Sequence, residues 1–275
     1  MLKKIVLTGA AGRLGSILRA PLAAMCDDLL CTDIVEDIAD LPANASYARA
    51  DIADYESVAA LMEGVEMVVH FGAHVDEGPF EQLLGPNFVG SYNVWESAWK
   101  AGARRIVYAS SIHAVGMHKR QDFIGLDAPH APDTFYGLAK CFTEDLGKMY
   151  WSKRGLESVH LRILSCDTVQ NARMLGTWLS DGDLLRLVAR AIDTPTTGFS
   201  IVYGVSDNDR CPVDNAKASH LGYRPQDNAE IYAAQILATE GAGDPTDRAQ
   251  MHHGGPFAAV PLGQGGATAA AKGND

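Results

Sequence analysis

Short β-branched runs alternate with longer amphipathic stretches from residue 4 to about residue 205, and few folds accommodate such a chain. Lys4–Leu7, Leu29–Thr32, Tyr47–Arg49, Met67–His70, Arg105–Ala109, Ser158–Ile163 and Phe199–Tyr203 read as strands. Arg13–Ala24, Tyr55–Glu63, Phe88–Ala101, Tyr136–Arg154 and Asp181–Ile192 carry helical periodicity. Strands that return through helices run parallel with right-handed crossovers, and both faces of the sheet are then covered. The expected fold class is α/β, a Rossmann-type doubly wound parallel sheet. Beyond residue 205 the pattern weakens into turn-rich segments, which predicts a small C-terminal substrate lobe.

Composition removes several function classes. Of 275 residues, 47% are hydrophobic, enough for a sizeable core. With 34 acidic against 23 basic side chains the formal charge is −11, so no nucleic-acid partner is expected. No apolar run approaches the length of a membrane span, and the run after Lys3-Lys4 reaches glycine too soon for a signal peptide. Cys26, Cys31, Cys141, Cys166 and Cys211 form no CxxC pair, which points to reduced thiols and a cytoplasmic protein. His252-His253 lacks partners at ligand spacing, so no metal is expected.

The first strand runs straight into Gly9-Ala10-Ala11-Gly12-Arg13-Leu14-Gly15, with a helix pattern behind it. Glycines at these three spacings make a tight turn, let backbone approach a pyrophosphate and pack helix on strand. The phosphates then meet the free N–H groups of a helix N-terminus, which Arg13 and Leu14 open. Asp33 closes the second strand, where a carboxylate takes both ribose hydroxyls and repels a 2′-phosphate, so the expected cofactor is NAD. Asp51 and Ile52, after the third strand, are candidates for the adenine edge. The expected division is therefore an NAD-binding Rossmann core over 1–163 and a smaller substrate-binding lobe over 164–262, with one or more strands returning to the sheet. A disordered tail over 263–275 is expected after it.

Four elements in order, Gly9-xx-Gly12-xx-Gly15, Asn87-xx-Gly90-xx-Asn93, Ala109-Ser-Ser-Ile-His113 and Tyr136-Gly-Leu-Ala-Lys140, resemble the extended branch of the short-chain dehydrogenase/reductase superfamily. The resemblance implies Ser111, Tyr136 and Lys140 as catalytic residues. Tyr136 and Lys140 share a helix face, and an ammonium beside a phenol favours the phenolate that acts as base. Lys140 also reaches the nicotinamide ribose, while Ser110 points to the opposite face from Ser111. Gly72 and Asn87 join the cofactor set, Asn87 ordering the strand-helix junction.

Further segments, among them Pro79-Phe-Glu-Gln82, Arg173-Met-Leu-Gly-Thr-Trp178 and Gly254-Gly-Pro-Phe257, resemble the uronate dehydrogenases of this NAD-dependent epimerase/dehydratase family. That resemblance implies NAD-dependent oxidation of the anomeric C1 of a hexuronic acid to the lactone. Ser165 and Arg173 would hold the sugar carboxylate, with His74, Ser111, His113, Tyr136 and Phe257 lining the pocket. Three places depart from the pattern: Ile112 replaces an amide, His74 a small hydroxyl residue, and Met117-His118 the usual tyrosines after Gly116. Another acidic or a neutral aldose is the alternative substrate. A nucleotide-sugar epimerase or dehydratase with retained NAD is the alternative enzyme, and an NAD-sensing regulator the alternative outside catalysis. A homo-oligomer paired through residues 88–101 and 136–154 is also expected, with Tyr92, Trp95, Trp99, Tyr150 and Trp151 serving either that interface or the core.

Overall fold

The computed structural model describes residues 1–240 and 246–268. In chain order they form β1 (Leu2–Thr8), α1 (Arg13–Ala23), β2 (Cys26–Asp33), β3 (Ala45–Arg49), α2 (Tyr55–Leu61), β4 (Met67–His70), α3 (Phe80–Leu83) and α4 (Gly90–Lys100). There follow β5 (Arg105–Tyr108), α5 (Phe135–Arg154), β6 (Glu157–Ile163), α6 (Met174–Thr177), α7 (Asp181–Asp193), β7 (Phe199–Gly204), α8 (Ala233–Glu240) and α9 (Arg248–Met251). Over these residues the strands make one seven-stranded sheet in the order β3-β2-β1-β4-β5-β6-β7. Every pairing in it is parallel.

Side chains alternate across this sheet, and each face builds its own core. Ile5 and Leu7, Met67 and Val69, and Val107 point to the layer of α1 and α7, where Leu18, Leu22, Leu184 and Leu187 meet them. Val6, Val68, Ile106 and Tyr108 point the other way, against Val58, Val94, Trp95, Leu146 and Tyr150 of α2, α4 and α5. Both faces are therefore apolar, which is why the central strands read as nearly continuous hydrophobic runs. Of the aromatics left open by sequence, Trp95 and Tyr150 belong to this core, whereas Tyr92, Trp99 and Trp151 are partly exposed.

Strand order reverses between β1 and β4, so their carboxyl ends frame the crevice where doubly wound sheets bind ligands. β7, from the C-terminal part, lies beside β6 in the same sheet. Several expected boundaries shift by one to three residues, two of them for a clear physical reason. β2 starts at Cys26, not Leu29, because backbone pairing with Leu2 and Lys4 continues past the exposed Asp27 and Asp28. The helix expected from Phe88 starts at Gly90, preceded by a wide π-turn over Leu84–Val89. Pro86, inside that turn, has no N–H for an ordinary helical bond.

The expected disordered tail begins in ordered chain. Gly263 N–H donates to Glu77 Oε1 at 2.8 Å, Thr268 N–H donates to Asp76 Oδ1 at 3.1 Å, and Ala267 is buried. Residues 269–275 lie outside the described residues. Among the described residues the five cysteines are free, no helix is long and apolar enough to cross a membrane, and no group of metal-ligating side chains is assembled.

Candidate active site

A cleft of about 1280 Å³ opens at the carboxyl ends of β1, β4 and β5, and every candidate residue except Asn87 lines it. At one end, β1 turns at Gly9, whose φ of +71° suits glycine. A Cβ there would sit 2.6 Å from the Phe71 and Gly72 backbone, and one on Gly15 would overlap the Gly9 carbonyl. Gly12 caps α1 with no side chain bonded to the helix, so the first-turn N–H groups stay available to an anion. Asp33 Oδ2 accepts from Ala11 N–H at 2.9 Å and Oδ1 from Ile34 N–H at 2.7 Å, placing the carboxylate beside the glycine turn.

The rest of this end is built around buried polar groups. Thr8 Oγ1 accepts from Gly72 N–H and pairs with His70 Nδ1 at 2.7 Å. Burial draws the His70 imidazole down to about 3, so it stays neutral. Asp51 Oδ1 accepts from Ala53 N–H, and Ile52 is buried against Gly90, where any Cβ would meet it at 2.7 Å. Ile34 and Val35, exposed apolar residues just past Asp33, also line the cleft, and the sequence reading missed them. Their signal was an apolar pair directly behind a strand-end acid.

Two members of the expected cofactor set behave differently. Asn87 stands behind the wall: its Oδ1 accepts from His74 N–H at 2.7 Å and its Nδ2 donates to His74 O at 2.9 Å. Both ends of its amide are spent on the loop that carries His74, so it orders that loop and does not reach the cleft. Arg13 turns its guanidinium across to Cys166 O at 2.5 Å and Asp181 Oδ1 at 3.0 Å. What it offers a pyrophosphate is its backbone N–H.

The reacting groups stand on β5's exit and α5. Thr134 caps α5, its hydroxyl accepting from Gly137 N–H, and the buried Glu77 accepts from Tyr136 N–H at 3.2 Å. Burial pushes the Tyr136 phenol above its usual range, and a hydrogen bond with Ser111 opposes that push. Lys140 Nζ donates to Ala109 O at 2.7 Å and lies 5.0 Å from the Tyr136 ring centroid. Burial draws this ammonium down to about 7, although Glu144 supports its charge. Lys140 Nζ is thus directed at a carbonyl one helical turn from Tyr136, and the phenol is set between burial and Ser111. Ser110 faces away as expected, donating to Glu144 Oε1 at 2.6 Å.

Glu144, absent from the sequence reading, fixes this region. Its oxygens also accept from Arg162 Nε and Nη2 at 2.9 and 2.7 Å and pair with His130 Nε2 at 2.9 Å. Burial alone would raise this carboxyl, but those hydrogen bonds and the Arg162 charge leave it at about 2. A folded value below the unfolded one of about 4.3 contributes stability above that pH, lost as pH falls toward 2. Glu144→Gln leaves Arg162 buried and uncompensated, which costs about 3–5 kcal/mol. Differential scanning calorimetry at neutral pH should show the melting point down by about 10 °C, with a smaller difference near pH 3.

At the other end of the cleft, Arg173 Nη1 donates to Ser165 Oγ at 3.1 Å and Nη2 to His253 O at 2.6 Å. Its Nε has no hydrogen-bond partner, and no carboxylate of the described residues pairs with it. Burial and the nearby Arg120 charge draw the guanidinium down to about 10, although the Asp133 carboxylate supports its charge, so it is still cationic at neutral pH. Gly255, at φ +62°, makes room for it, since a Cβ there would lie 2.7 Å from Nε. His113 stacks on Phe257 with centroids 3.9 Å apart and meets the Tyr136 ring edge-on at 5.7 Å. His74 lines the cleft too. Ile112 does not take the part of the amide it replaces: it is 1% exposed and packs with Tyr203, Val205 and Val213.

Residues 5–166 match the model of the NAD dependent epimerase/dehydratase family. The chain belongs to that family. It is 41% identical to a uronate dehydrogenase of Pseudomonas putida over 256 residues, covering 93% of this chain and 95% of the relative. The crystal structure of a glucuronic acid dehydrogenase from Chromohalobacter salexigens superimposes with a TM-score of 0.92 at 38% identity, covering 95% of this chain and 98% of that one. A uronate dehydrogenase variant from Agrobacterium tumefaciens, complexed with NAD, gives 0.90 at 38% identity over 95% and 98% of the two chains. The glycine turn, bare helix N-terminus and Asp33 of this family member fit NAD. Asp33→Ser should raise the KM for NAD by about tenfold and admit NADP, read as NADPH formation.

Proposed function

We propose that this protein oxidises the anomeric C1 of a hexuronic acid, galacturonate or glucuronate, to its lactone with NAD. One observation carries the acidic-sugar reading: Arg173 lines the cleft with a guanidinium that forms no ion pair with a carboxylate of the described residues, the buried Asp133 supporting its charge only from beyond contact distance. A cation already desolvated and held by a hydroxyl and a carbonyl has most to gain from a planar carboxylate. The names of the relatives point the same way.

In this reading Arg173 and Ser165 hold the sugar carboxylate, and His74, His113 and Phe257 shape the pocket around the ring. Tyr136, as the phenolate that the adjacent Lys140 ammonium favours, takes the proton of the anomeric hydroxyl, and Ser111 donates to the same oxygen as it becomes a carbonyl. Lys140 fixes the nicotinamide ribose. NAD, when bound, supplies the hydride acceptor. Galacturonate deuterated at C1 tests the reaction: deuterium should appear in NADH and the sugar should become lactone. Label kept at C1 with no net NADH would count against C1 oxidation and leave room for an epimerase with retained NAD.

The free thiols accord with the reducing cytoplasm, where we place the protein. We also propose a homo-oligomer paired through α4 and α5, whose Tyr92, Trp99, Phe142, Met149 and Trp151 keep exposed apolar surface.

A further inference from the structure

We propose that Asp133 is a positioning residue: it holds His113 with its proton on Nδ1, so that the Nε2 lone pair accepts a hydrogen bond from a hydroxyl of the sugar. The proposal rests on the sugar-dehydrogenase reading and adds to it a residue outside the motifs and a direction for one substrate contact.

Asp133 is buried at 8% exposure. Its Oδ2 lies 2.7 Å from His113 Nδ1, and its Oδ1 accepts from Thr134 Oγ1 at 2.8 Å. Glycines from three separate segments make room for this carboxylate. A Cβ on Gly137 would come within 3.0 Å of Oδ1, and one on Gly116 or Gly254 would overlap Oδ2. Gly116 follows the turn that carries His113, Gly137 lies in the first turn of α5, and Gly254 N–H donates to Gly116 O at 2.9 Å, closing the slot. A charged side chain buried behind three glycines is a built feature of the cleft wall.

Its chemical consequence follows from the donor inventory. A carboxylate only accepts, so Nδ1 must donate, and in the neutral imidazole Nε2 is then left as an acceptor. Nε2 has no hydrogen-bond partner among the described residues. Phe257 stacks on the ring at 3.9 Å and 25° and Tyr136 stands against it at 5.7 Å and 65°, and a turned ring would give up the Nδ1 bond to Asp133, so this orientation is favoured. Since His113 lines the cleft, that lone pair selects a hydroxyl donor over a carbonyl or carboxylate oxygen.

Nitrogen-15 imidazole spectra of the unaltered protein with NAD bound should show His113 as the Nδ1–H tautomer. An Nε2–H tautomer would overturn the proposal, and this reading needs neither a variant nor turnover. Asp133→Asn should raise the galacturonate KM by about tenfold, leave kcat within about threefold and the NAD Kd within about twofold. In a His113→Ala background the same substitution should change KM by less than about twofold, because Asp133 acts through His113. An undiminished effect in that background would show that Asp133 acts through its charge on Arg173 or Tyr136 and not through His113, and a parallel loss of NAD affinity would make it a structural residue; either overturns the proposal. Absence of NADH from the unaltered enzyme with galacturonate would instead sink the uronate reading and leave the tautomer result standing.

Discussion

Tyr136→Phe lowers kcat for uronate oxidation by about 10³-fold while NAD binds with a Kd within about twofold of the unaltered enzyme. Phenylalanine keeps the ring that meets His113 edge-on and packs near Phe257, with centroids 5.7 and 6.0 Å away, and removes only the oxygen. Burial pushes that phenol above its usual range and the hydrogen bond with Ser111 opposes the push, so the oxygen's surroundings set its basicity. Without the oxygen no other side chain on α5 stands in: Lys140 is directed to Ala109 O. Stopped-flow absorbance at the NADH band reads the first turnover, and fluorescence titration reads NAD binding. An activity loss below about tenfold would move the base to another residue, and His113 would be the first to examine.

Arg173→Met raises the KM for galacturonate by about 100-fold or more and leaves a neutral aldose such as galactose within about threefold. Methionine retains much of the apolar stem but removes the charge and the planar fork. Truncating one partner of a desolvated charge pair costs about 2–5 kcal/mol, and the lower half of that range already gives the stated factor. The unaltered protein meets part of this cost in advance, since Ser165 and the His253 carbonyl hold the guanidinium and Gly255 makes room for it. Steady-state kinetics on both sugars separate the two cases. Equal losses on both would show that Arg173 supports the cleft wall without reading the carboxylate.

The sheet and the glycine turn were legible because they repeat. Short apolar runs in β1, β4 and β5 and the strand-glycine-helix order leave little freedom, and the structure places Gly9, Gly12, Gly15 and Asp33 where that order requires. Tyr136 and Lys140 were legible for the same reason, being one helical turn apart. The acids that hold these groups were not. Glu77 joins Tyr136 N–H to Gly263, 186 residues further along the chain, and Glu144 joins Ser110, His130 and Arg162 from three segments. A single carboxylate with partners so far apart leaves no periodic trace. Glu144 did offer one local hint, lying one turn beyond Lys140 and two beyond Tyr136 on the same face. Ile112 reads from the sequence as a lost substrate contact, which accords with its packing in a small apolar cluster with Tyr203, Val205 and Val213; the cluster itself, drawn from distant segments, left no local trace.

Initial rates of NADH formation with galacturonate and galactose, each with NAD and with NADP, test the central claim most directly. A cleft that anchors a carboxylate on Arg173 and a ribose on Asp33 predicts fast NADH formation from galacturonate with NAD. Galactose or NADP should lower kcat/KM by about 100-fold or more. Equal rates on the two sugars, or no NADH from galacturonate, would contradict it.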